Sequence, residues 1–178
     1  LDIRNRNVKS FDAIMSGTVI GNYIIAGNAA PFDSLTPASI SEEELTKLKQ
    51  LLDTEESHQA QDDLKRADVN GYIERGKELG ISDERVLIYF SDCYNQSPKG
   101  ISRIGNRLGN QWSSVKLDTL HNYALQDVYV DNGTQKGLGV YKTRRNTVYE
   151  KALGFNSEAE SSLSAYVENM VLFALAEE

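Results

Sequence analysis

The residues best placed to do chemistry lie in the run Ile88-Tyr89-Phe90-Ser91-Asp92-Cys93-Tyr94-Asn95-Gln96. At about 100° per residue, positions 88, 92, 95 and 96 share one side of a helix while Phe90 lies on the other. One acid and two amides then face the same way from an otherwise apolar segment. A carboxylate among apolar neighbours either meets a cation or takes a proton. The expected cation is a guanidinium from Lys142-Thr143-Arg144-Arg145, contributed by Arg144 or Arg145. Such a pair is either a plain structural ion pair or the electrostatic support of an acid–base site.

The remaining reactive groups read more simply. His58 and His121 show no metal-ligand spacing and read as surface or core residues. Glu42-Glu43-Glu44 sits where a helix dipole favours acids. Glu55-Glu56 could form an active-site acid pair, but a helix start is also a normal home for both. Cys93 is the single cysteine, so no internal disulfide supports the fold, and its thiol reads as a small apolar filler. The chain has no P-loop, no dinucleotide glycine fingerprint, no HExxH and no CxxC, so neither a cofactor nor a metal is expected.

Helical signals dominate the elements that must position these groups. Residues 1–40 form an irregular lead-in, with apolar segments at 11–15 and 19–26 that suggest one or two short helices. Ser41-x-x-Glu44 is a capping box opening a helix that carries Leu45, Leu48 and Leu52. A long polar helix is expected from Glu55 to Leu79, stopped by Gly80, with Gly71 and Gly76 explained by close packing. Ser82 is expected to cap the helix that carries Asp92, which stops before Pro98. Residues 99–112, rich in Gly, Asn and Ser, read as a surface loop. A helix is expected at about 114–128, a turn at Asp131-Asn132-Gly133, and a helix at about 140–153 carrying the two arginines. Ser157-x-x-Glu160 opens a last helix striped by Leu163, Tyr166, Val167, Met170 and Ala174. No alternating strand is evident, so the fold class is all-α.

With 178 residues, 40% hydrophobic and 25% charged, the chain suits a single domain or part-domain with a real core. A formal charge of −7 argues against nucleic acid or an anionic membrane as partner and favours a neutral or cationic polymer. No apolar run approaches the length of a membrane helix. The chain starts at Leu1 rather than Met, which suggests that it belongs to a larger polypeptide.

The series Gln59-Ala60-Gln61-Asp62, Gly71-Tyr72-Ile73, Leu79-Gly80, Ile88-Tyr89-Phe90-Ser91-Asp92 and Asn95-Gln96, followed by Tyr141-Lys-Thr-Arg144-Arg145-Asn-Thr-Val-Tyr149, resembles the family 46 chitosanases and related peptidoglycan hydrolases of the lysozyme-like superfamily. The similarity covers about residues 40–153 and rests on order and spacing, since no single element is highly specific. It implies a lysozyme-like helical lobe over these residues, and the C-terminal helix over 154–178 lies beyond it. Asp92 and Arg144 would support a catalytic acid, and Asn95, Gln96 and Arg145 would border a sugar cleft. Nothing in residues 1–40 matches the family's catalytic helix and hairpin; Asp2, Asp12 and Asp33 are the only carboxylates there. The resemblance therefore implies a catalytic glutamate upstream of Leu1. The expected activity is hydrolysis of a β-1,4-linked amino-sugar polymer, peptidoglycan before chitosan, in an extracellular or virion setting such as a phage tail. The alternative is a non-catalytic wall-binding or virion structural module on the same scaffold. A DNA-associated helical regulator is disfavoured by the acidic balance and the lack of a basic recognition helix.

Overall fold

Several helix starts, at Ser41, Asp83 and Ser97 among them, are capped by short polar side chains in the computed structural model. The structure describes residues 14–15, 41–156 and 162–176, with side chains as far as Asn169. The described residues are all-α apart from one two-stranded hairpin. The chain divides into two compact units, Leu1–Lys65 and Arg66–Glu178.

In the first unit, helix α1 (Glu42–Leu52) opens at the expected box, with the Glu44 N–H donating to the Ser41 hydroxyl at 3.2 Å. Helix α2 (Glu55–Glu78) begins with Glu55 and Glu56 exposed in its first turn, the position its dipole favours. Apart from helical Ile14 and Met15, the segments expected within residues 1–40 lie outside the described residues.

The second unit starts within α2, whose end is set by Gly80 at φ +91°, where the Ile81 N–H reaches back to the Gly76 carbonyl. Close packing accounts for Gly76, since a Cβ there would stand 2.6 Å from Leu87 Cδ2 and 3.1 Å from Phe90 Cδ1. Gly71 has nothing within 4 Å of an added Cβ, so close packing does not explain it. Helix α3 (Glu84–Gln96) is capped by Asp83, not Ser82: the Asp83 carboxylate accepts from the N–H groups of Arg85 and Val86 at 2.9 and 3.2 Å. Its residues Val86 to Cys93 are all buried, which makes α3 the central helix of the unit.

Residues 99–112 are not a loop. Ser97 caps helix α4 (Pro98–Arg107), with proline in the first turn and the Gly100 N–H donating to the Ser97 hydroxyl at 3.0 Å. The glycine content reflects close approach. A Cβ on Gly100 would meet Leu138 Cδ1 at 2.8 Å, and Ile101 and Ile104 are buried one turn apart. After a 3-10 turn at Trp112–Ser114 comes α5 (Leu117–Gln126), shorter at both ends than expected.

A hairpin then appears where no strand was expected: β1 (Tyr129–Asp131) pairs antiparallel with β2 (Thr134–Lys136), Val130 opposite Gln135. Asn132 (φ +49°) and Gly133 (φ +77°) form the tight turn. Both strands are exposed throughout, so the alternating apolar signal of a half-buried strand is missing. A second 3-10 turn, Leu138–Val140, leads into α6 (Lys142–Gly154), and α7 (Leu163–Ala176) closes the unit. The Ser157–Glu160 box lies outside the described residues. Helices α4, α5, α6 and α7 all pack on α3.

Candidate functional site

Where α3 and α6 face each other, two charged segments fifty residues apart in sequence meet away from water. Asp92 is fully buried. Arg144 donates Nη2 to its Oδ1 at 2.8 Å and Nε to the same oxygen at 3.3 Å. Arg145 donates Nη2 to Asp92 Oδ2, and its Nη1 lies against Cys93 Sγ. The expected Asp92–Arg144 pair is therefore formed. Arg145, expected at the sugar cleft, is instead a second donor to the same carboxylate and has no exposed surface. The cause is helical geometry: Arg145, Val148 and Ala152 make the i, i+3, i+7 stripe of the buried face of α6.

Arg145 is the hub of a longer polar chain. Its guanidinium carbon lies 5.7 Å from the Tyr89 ring centre, and the Tyr89 hydroxyl is 2.9 Å from His121 Nδ1. His121 stacks on Tyr149 at 4.2 Å, and the Tyr149 hydroxyl donates to Asp118 at 2.8 Å. The chain thus runs from the buried acid to the surface. Burial pushes the Cys93 thiol up to about 12, so at neutral pH the sulfur beside Arg145 is uncharged and Asp92 is the counter-ion. Burial also raises the Tyr89 hydroxyl. His121 is lowered, first by burial and then by the Arg145 charge. Burial works against the charge of Arg145 itself, but its neighbours, Asp92 among them, outweigh it and raise its proton affinity.

One helical turn beyond Asp92, Gln96 lines an open groove of about 250 Å³. The hairpin and the 3-10 turn before α6 form the other wall. Tyr129 and Tyr141 are its exposed aromatic faces, and Lys136 is held at 2.6 Å by Asp131. Gln96 Oε1 is buried without a partner among the described residues. Asn95, expected beside Gln96 at the cleft, does not line this groove. It accepts a hydrogen bond from the Tyr72 hydroxyl at 3.2 Å, about 100° around α3 from Gln96.

A second ion pair escaped the sequence reading. Arg103 grips Asp127 with Nε and Nη2, each at 2.7 Å, and the Leu138 N–H donates to Asp127 Oδ2 at 3.0 Å. The guanidinium carbon of Arg103 also sits 4.6 Å from the centre of the Tyr129 ring, so the clamp backs one wall of the groove. Gly137, at φ +109°, lies so close to the Asp127 carbonyl that a side chain there would collide with it. Partial burial opposes the Asp127 charge, but Arg103 and the Leu138 N–H outweigh it and hold the carboxyl below its ordinary 3.8. The signal was an acid just after a helix, ahead of Gly137-x-Gly139. Its partner was hidden because the segment bearing Arg103 reads as a loop.

Among the described residues no carboxylate lines the groove, and no group of three His, Cys, Asp or Glu side chains could hold a metal. None of the described helices is long and apolar enough to cross a membrane. Compared with protein-family models, curated proteins and solved structures, the chain matches none of them.

Proposed function

We propose that this chain is the helical lobe of a lysozyme-like glycoside hydrolase acting on a β-1,4-linked amino-sugar polymer, with peptidoglycan as substrate, in an extracellular or virion setting. One observation carries the reading: a fully buried aspartate held by two guanidinium groups sits one helical turn from the glutamine that lines an aromatic groove. Asp92 acts here as a positioning residue. By pairing with Arg144 and Arg145 it cancels one of their two positive charges and so weakens the pull that would drive a neighbouring carboxyl into its ionised form. Tyr129 and Tyr141 offer apolar faces to sugar rings, and Gln96 and Gln135 offer hydrogen bonds to hydroxyl and amide groups. The general acid comes from outside the described residues. It protonates the glycosidic oxygen while a second carboxylate or a positioned water completes the displacement.

A second reading is a non-catalytic wall-binding or virion structural module, favoured by the absence of any carboxylate from the described groove lining. Incubating purified cell walls with the full-length protein that carries the proposed general acid, beside a variant lacking that acid, separates the two. Clearing of turbidity with release of reducing ends is the enzyme outcome. Co-sedimentation with the walls and no new reducing ends is the module outcome. A chain that neither cleaves nor sediments with walls overturns both.

A further inference from the structure

A second groove, of about 240 Å³, lies in the same unit between the end of α2, the last turn of α3 and the outer side of α4. Its floor is Gly105. A Cβ at that position would stand 3.1 Å from the Trp112 ring and 3.2 Å from both its indole Nε1 and Asn110 Oδ1, closer than ordinary contact, so a donor and an acceptor lie side by side against this glycine. Neither of these atoms, nor the Asn106 carboxamide or the Tyr94 hydroxyl, has a hydrogen-bond partner among the described residues. The one charged residue in the lining, Arg75, is tied to Glu78 at 2.9 Å. The groove therefore presents aromatic surface with adjacent neutral donors and acceptors, which suits an uncharged ligand carrying an amide.

We propose that this groove is a second binding site of the chain, taking an N-acetylated sugar unit. The acetamido C=O accepts from the indole N–H, its N–H donates to Asn110, and the pyranose ring lies against Tyr94. A peptide amide offers the same pair of groups, but the side chains and termini of a wall peptide are charged, and Arg75 is already neutralised. The inference rests on the amino-sugar polymer of the proposed function and not on hydrolysis, so a chain without activity on walls still tests it.

Trp112 is the only tryptophan of the chain, which makes its emission a direct reporter of this groove. The full chain is titrated with tetra-N-acetylchitotetraose, with cellotetraose as the sugar lacking acetamido groups and an acetylated dipeptide amide as the peptide mimic. The expected result is a saturable change in Trp112 emission with the acetylated sugar alone. Gly105→Ala sets a Cβ against the Trp112 ring and Asn110 Oδ1, displacing the paired donor and acceptor, and it weakens Kd about tenfold or more. Asn106→Ala, at an exposed position, weakens binding without touching the core. Tyr129→Ala, in the other groove, leaves the response in place. The proposal is overturned by no response to the acetylated sugar, by an equal response to cellotetraose, or by a response to the dipeptide amide only. Loss of the response in Tyr129→Ala also overturns it, because the two grooves would then not be separate sites.

Discussion

Asp92 and Asp127 are both gripped by arginine, and they differ in what surrounds the grip. Asp92 has no exposed surface and takes one guanidinium on each oxygen, from Arg144 and Arg145. Asp127 takes a single guanidinium and a backbone N–H, and its partner Arg103 is 35% exposed. The first pair joins helix to helix inside the core. The second joins a helix to the hairpin that walls the groove. A buried charge is costly when its partner is removed, because water cannot replace the lost bonds, whereas a half-exposed arginine is resolvated at once. The same chemical pair is therefore a foundation in one place and a hinge pin in the other.

The sharpest way to break that distinction is Asp92→Ala, which leaves two guanidinium groups facing a cavity. We expect a loss of about 3–5 kcal/mol in urea denaturation. Asp92→Asn, which keeps an acceptor and the volume, falls between wild type and alanine. If the chain clears cell walls, Asp92→Ala abolishes clearing even at temperatures where the variant remains folded, because the positioning role is lost along with the bonds. A stability loss below ~1 kcal/mol would show that the arginines find other partners and that the core reading of this pair is mistaken.

Asp127→Asn is the matching test of the second pair. The expected cost is about 1–2 kcal/mol, since charge-assisted bonds are lost but Arg103 is free to turn to water. The larger consequence is local: the amides of Leu138 and Gly139, which bond to the Asp127 side chain and carbonyl, exchange faster than those of α3. The pH behaviour follows from the lowered carboxyl. The folded chain holds the Asp127 proton more weakly than the unfolded chain, so the pair stabilises above pH 3.8 and that stability is lost as pH falls through the lowered value. Asp127→Asn removes this acid limb. A variant whose Leu138 and Gly139 amides stay as protected as before would show that the clamp does not hold the groove wall.

The contrast also explains what could be read from the sequence. The Asp92–Arg144 pair was legible because a lone acid among apolar residues demands a cation, and the helices bearing both partners follow clear periodicity. The all-α class followed from the same periodicity. The Arg103–Asp127 clamp was not legible, because Gly100 of α4 imitates a loop residue when its reason is a neighbour, Leu138, that lies more than thirty residues on. The hairpin was missed because strands exposed on both faces carry no alternation. Arg145 was misplaced for a third reason: a charged residue is assigned to the surface by default, and here the stripe with Val148 and Ala152 overrides charge. Where packing is local the sequence speaks; where distant segments meet, residue type alone misleads.

His121 provides the finest test, because it belongs to the Asp92 side of the comparison yet reaches solvent through Tyr149 and Asp118. Burial first, then Arg145, lowers its proton affinity below the ordinary 6.5, while Asp118 and Glu150 pull the other way. The unfolded chain therefore binds more protons than the folded chain just below pH 6.5. The stabilisation from neutral His121 is complete above that pH and is lost as pH falls through the lowered value. His121→Asn keeps a group able to bond the Tyr89 hydroxyl near the Nδ1 position and cannot titrate. Its urea midpoint is expected to vary less with pH than wild type just below pH 6.5, a window well above that of Asp127, so the two limbs separate in a single pH series. If wild type and His121→Asn trace parallel curves there, a proton at His121 is not felt by Arg145, and the polar chain from the surface to Asp92 does not act as a unit.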